Sequence, residues 1–105
     1  MDWDSRVREQ MLDRVWVDFN SGTDRRDSDG RYFRQPSLDT VGSKRDLDRL
    51  GLELSEGLRL QVYMEDQDVD GRPGALVASG VALHRQDFGW LVEIPDDAVE
   101  RVACD

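Results

Sequence analysis

The chain has 105 residues, with 23 acidic against 14 basic side chains and a formal net charge of −9. That length allows one domain around one small core, and the acidic balance disfavours phosphate backbones as partners. The single cysteine, Cys104, excludes an internal disulfide and a cysteine-built zinc site.

No run reaches the ~18 apolar residues of a membrane span. The opening Met1-Asp2-Trp3-Asp4 lacks the basic start and apolar core of a signal peptide. The expected setting is therefore the cytoplasm, with no membrane or nucleic-acid partner. Charge is uneven: residues 1–52 carry a net −1 and residues 53–105 a net −8. Arginine outnumbers lysine 13 to 1 and aspartate outnumbers glutamate 17 to 6, a bias that reads as a GC-rich bacterial coding genome and not as chemistry.

In chain order, Trp3, Val7 and Met11 lie at i, i+4 and i+8, the apolar stripe of a helix over about residues 5–13 that Asp4 or Ser5 can cap. Val15, Val17 and Phe19 then alternate with Trp16 and Asp18, so the period changes to that of a strand. Residues 20–30 read as a long polar loop closed by Asp29-Gly30, and Arg31 to Gln35 as a short strand stopped at Pro36. Ser43 and Asp46 have capping-box spacing, Leu47 and Leu50 share a face, and Gly51 suits a helix stop, which predicts a short helix over 43–51.

The clearest signal spans 58–94. Leu58, Leu60, Val62 and Met64 alternate with Arg59, Gln61, Tyr63 and Glu65, a strand with one buried and one wet face. An acidic turn over 66–74 leads to a second strand at 75–83, which Gly80 should bend, and a third at 90–94. Pro95 ends it, and Asp97 with Glu100 predicts a terminal helical turn at 96–103, with Val99 and Val102 inward. Together these elements predict a single mainly-β domain over 1–105: a five-stranded, partly open barrel that resembles the SH3-like architecture, carrying an N-terminal helix, a short helix between strands two and three, and the terminal turn. A shared architecture implies no function.

Four constellations could carry chemistry. Asp66, Asp68 and Asp70 with Gly71 match the opening half of a calcium loop, since a hard cation wants several carboxylates on one tight turn. The twelfth position is Val77 and Arg72 adds an opposing charge, so a solvated hairpin is the preferred reading, with no cofactor expected. Asp24, Asp27 and Asp29-Gly30 are a looser echo. Trp16 and Tyr63 fall on the wet faces of their strands, where small barrels can dock an extended peptide; the stripe on the N-terminal helix is expected to cover Trp16 instead. His84 and Cys104 would make a nucleophilic pair only if the fold joined them. The remaining carboxylates read as solvated faces.

The expected function is a non-catalytic protein- or peptide-binding module, present as a monomer or weak homodimer. One alternative is an acidic inhibitor or immunity-type protein that masks a basic partner with its acidic half; another is a small barrel that binds calcium through the loop at 66–71.

Overall fold

The computed structural model describes residues 3–104, with side chains from Ser5 onward. The expectations for the side chains of Trp3 and Asp4 lie outside the described residues. The order is α1 (Trp3–Gln10), β1 (Val15–Trp16), β2 (Thr23–Arg26), β3 (Tyr32–Gln35), α2 (Val41–Arg49), β4 (Arg59–Gln67), β5 (Pro73–Arg85), β6 (Gly89–Pro95), a 3-10 turn (Asp96–Ala98) and β7 (Glu100–Ala103).

The seven strands form one open mixed sheet in the order β1-β4-β5-β6-β3-β2, with β7 paired to β5. The mainly-β reading holds, but the sheet does not close as a five-stranded barrel. β5 explains much of its shape. Along one edge it pairs with β4 from Pro73 to Val81; along the other it pairs first with β7, over Gly74 to Val77, and then with β6, over Val81 to Arg85. At Gly80, just before β6 takes over, a methyl group would lie 2.6 Å from Val92 Cγ2 and 2.7 Å from the Glu93 carbonyl oxygen. Only glycine admits so close a crossing, which is the physical content of the expected bend.

Inside the curve sits the main core. Val15, Val17, Phe19, Leu60, Val62 and Ile94 are among its buried members, with Leu38 and Leu47 closing it from the α2 side. Val15 and Val62 meet in register where β1 runs parallel to β4.

The sheet has a second covered face that period-2 alternation does not report. Val7 of α1 and Met11 just after it pack on Tyr63, Ala75 and Val77, with Cys104 buried among them. The middle of β4 around Tyr63 and the first half of β5 that pairs with it are thus sandwiched, and Tyr63 is only 1% exposed.

Three further expectations change. α1 includes Trp3 and ends at Gln10, so neither Asp4 nor Ser5 begins it. The supposed loop at 20–30 contains β2, and the terminal helical turn shrinks to Asp96–Ala98 before β7. In both cases strand pairing overrides weak local signals: β2 satisfies β3, and β7 satisfies the edge of β5 that β6 leaves bare. The short helix is present, but its N-cap is Thr40, whose Oγ1 accepts from Ser43 N at 3.1 Å. Gly51 follows it in the left-handed region, at φ 66°.

Ser43 and Asp46 have another task. Ser43 Oγ donates to the Trp16 carbonyl at 2.6 Å, and the Trp16 N–H donates to Asp46 Oδ2 at 2.9 Å. One turn of α2 therefore closes the outer edge of β1, where a barrel would need another strand. Gly42 makes the approach possible, since a Cβ there would stand 2.6 Å from the Trp16 ring. Asp46 is almost fully buried and is held by Arg45 through two bonds of 2.9 and 3.0 Å and by Arg49 at 3.3 Å.

Candidate functional site

The Trp16 and Tyr63 positions do not form an open docking face. Tyr63 lies beneath α1, where burial, then the Asp46 and Glu65 carboxylates, push its hydroxyl up to about 12. Trp16 is half-buried against the same cluster, and its indole N–H donates to Glu65. The expected cover is in place through Val7 and Met11.

The acidic turn is a hairpin in which the Asp66 and Asp68 carboxylates are already engaged. Asp66 pairs with Arg101 at 2.7 Å, across the face of Gly74. Asp68 Oδ1 accepts from the backbone N–H groups of Asp70 and Arg72, both at 2.9 Å. The Arg72 N–H bond, against a smaller effect of burial, holds the Asp68 carboxyl below its usual range. Asp66, Asp68 and Asp70 are therefore not gathered around a common point, and among the described residues no group of three His, Cys, Asp or Glu side chains is placed to hold a metal ion. Millimolar calcium is expected to leave the melting temperature unchanged; a rise that magnesium fails to reproduce would reveal a site that binds the native state. The looser echo is spoken for in the same way: Asp24 accepts from the Tyr32 hydroxyl at 2.6 Å, and Asp27 Oδ1 accepts from the N–H groups of Asp29 and Arg31.

His84 and Cys104 sit at opposite ends of β5. His84 stands edge-on to Trp90 at 5.1 Å, while Cys104 is buried beside Pro73, whose carbonyl accepts the Cys104 N–H. They make no nucleophile–base pair.

What remains is an asymmetry between the two ends of the sheet. β1 is closed by Ser43 and Asp46; β2, the other terminal strand, has its outer edge unpaired among the described residues. The bond from Asp27 N to the Arg31 carbonyl sets the phase of the β2–β3 ladder. Counting back in twos, Arg25 and Thr23 bond to β3, while Asp24 and Arg26 turn both their N–H and C=O groups outward.

The hairpin is anchored firmly enough to present that edge. Arg25 forks onto Glu93 at 3.0 and 2.8 Å, and its ring neighbour Phe33 lies 4.4 Å below the guanidinium. Buried Gln35 donates to Glu93 at 2.7 Å and accepts from Arg85 at 3.1 Å, so four strands share one polar chain. The Arg25 hydrogen bond outweighs burial and keeps the Glu93 carboxyl below its ordinary value. On the opposite face, Asp24, Tyr32 and Arg34 border a shallow cleft of about 270 Å³ that ends at Phe19. The hairpin holds four arginines and three aspartates, a local net of +1 in a chain of net −9.

Sequence reasoning missed this edge because Thr23-Asp24-Arg25-Arg26 has no apolar alternation. A signal was present: Asp27 to Arg31, with Gly30, is a turn flanked by two four-residue arms of matching length.

No protein-family model, curated protein or solved structure matches this chain. Among the described residues, no helix is long and apolar enough to cross a membrane.

Proposed function

We propose that this protein is a non-catalytic binding module that takes up an extended protein segment by strand addition along β2. The observation that carries the reading is the pair of outward-facing backbone positions, Asp24 and Arg26, on β2, at the end of the sheet opposite the one that α2 closes. Main-chain hydrogen bonds to such an edge supply affinity, and side-chain neighbours supply selection. Here the cleft beside Asp24 and Tyr32 would receive an alternate side chain of the segment. Arg25 and Arg26 keep the edge from indiscriminate pairing, as charges on edge strands do.

Arg26→Pro tests this directly. It removes an outward N–H and no bond to β3, and proline is tolerated at such an edge position, so the fold should survive. Peptides selected from a random library on the native protein are expected to shift the amide resonances of Asp24 and Arg26 and to lose at least about tenfold in affinity on Arg26→Pro, the equivalent of one hydrogen bond of ~1.4 kcal/mol. Selected peptides that shift other amides and ignore the proline would refute strand addition.

The net charge of −9 favours a second reading, in which the acidic body masks a basic partner. Salt separates the two. Masking weakens steeply with ionic strength, whereas main-chain pairing at β2 changes little.

A further inference from the structure

We infer that the segment received by β2 is β2 of a second copy of this chain, paired antiparallel in the register that sets Asp24 opposite the second copy's Arg26. This rests on the reading of β2 as an acceptor edge and names its occupant.

Backbone geometry and charge select the same register. Two copies related by a two-fold axis perpendicular to the sheet keep their faces, so residues opposite one another must be of the same parity. Asp24 and Arg26 are the positions whose N–H and C=O groups point outward, so they must meet one another or themselves. Setting Asp24 against Asp24 brings two carboxylates together. Setting Asp24 against Arg26 makes two opposite-charge pairs and closes two hydrogen-bonded rings, with Arg25 opposite Arg25 on the other face. That last contact is tolerable because each Arg25 is already neutralised by its own Glu93, through two bonds.

The two side chains that must pair are available. Tyr32 donates to Asp24 Oδ2, which leaves Oδ1 to accept. The Arg26 guanidinium lies 5.5 Å from the Tyr32 ring centre and donates to the Gly30 carbonyl at 3.4 Å. No carboxylate stands within ion-pair distance of it among the described residues. Its neighbour Tyr32 thus holds both the donor and the acceptor of the proposed pair at the rim. The short strand makes the contact a weak one, as small interfaces are.

The test uses the full chain at 0.15 M salt, where a Debye length of about 8 Å screens repulsion between the acidic bodies. Sedimentation and amide resonances are followed from about 20 μM to about 1 mM, the range suited to a contact this small. The expected result is a monomer–dimer equilibrium in which the amides of Asp24 and Arg26 shift with concentration and that of Arg25, already bonded to β3, does not. Asp24→Arg and Arg26→Asp should each weaken the dimer at least about tenfold, and the double exchange should restore it to within about threefold. Arg26→Pro, which leaves Asp24 intact, should weaken it as well.

Association that survives Asp24→Arg, Arg26→Asp and Arg26→Pro alike, a double exchange that fails to restore what the single exchanges lose, or shifts confined to other amides, would overturn the inference. A chain that stays monomeric at 1 mM while library peptides still move the Asp24 and Arg26 amides overturns self-pairing and leaves strand addition standing. Loss of both signals overturns the two together.

Discussion

Tyr63→Asp is expected to abolish cooperative thermal unfolding, as completely as Leu60→Asp. The two side chains point to opposite faces of β4, and both faces are covered: Leu60 is 3% exposed in the main core and Tyr63 1% exposed beneath α1. An unpaired carboxylate at either place costs more than about 4 kcal/mol, a large share of the stability of a domain this size. Between them, Gln61→Asp should stay within about 0.5 kcal/mol of the native protein, because Gln61 is exposed and its amide oxygen accepts from Arg14, a role a carboxylate can take over. Circular dichroism melts of the three variants settle the matter. A cooperative, native-like melt for Tyr63→Asp would show that α1 does not lie on this face.

Asp46→Asn should produce the second-largest loss, about 2–4 kcal/mol, or roughly 10–20 °C in melting temperature. The asparagine keeps an oxygen for the Trp16 N–H but turns an amide toward Arg45 and Arg49 and removes the charge that gathers them. Both arginines reach solvent, with side-chain exposures of 42% and 38%, so they rehydrate and soften the penalty.

The variant should also flatten the acid limb of the stability curve. Burial by itself raises the Asp46 carboxyl; hydrogen bonds from Arg45 and from the Trp16 N–H outweigh it and hold the group below its ordinary 3.8. Since the folded value lies below the unfolded one, the stabilisation is fully present above the ordinary value and disappears as pH falls through the folded value. Denaturant melts from pH 7 down to about pH 3 should therefore show a steeper loss for the native protein than for Asp46→Asn. Parallel curves would mean that Asp46 is not charged in the folded chain. Glu93, lowered by its Arg25 fork, adds a further contribution of the same sign that both proteins retain.

How far the sequence led can be judged at these residues. The register of Leu60, Val62 and Ile94 was legible because burial of one face writes a period of two into the chain. So was the stripe of Val7 and Met11, although α1 ends just before Met11, and the stop of α2 at Gly51. Ser43 and Asp46 stand out as a pair in the sequence, but their partner is the β1 backbone and not their own helix end: three-residue spacing on a helix serves a cap or a neighbouring strand edge equally well, and only the position of β1 distinguishes them. Tyr63 misled for a similar reason. An aromatic hydroxyl fits a wet face or a second packed layer, and α1 decides which.

The sequence by itself determined where apolar side chains recur, and with that the long strands, the main core and a mainly-β fold. The tertiary structure decided everything that depends on a backbone partner far along the chain. β2 and β7 are strands because β3 and β5 offer them unpaired N–H and C=O groups, although neither carries a clean alternation of its own. The sheet stays open because α2 closes the β1 edge, and Asp66 at the acidic hairpin is paired by Arg101 reaching over from β7. Hydrophobic patterning is a local record of burial; edge closure, ion pairing and strand pairing are settled by which groups meet, and their spacing along the chain records no partner.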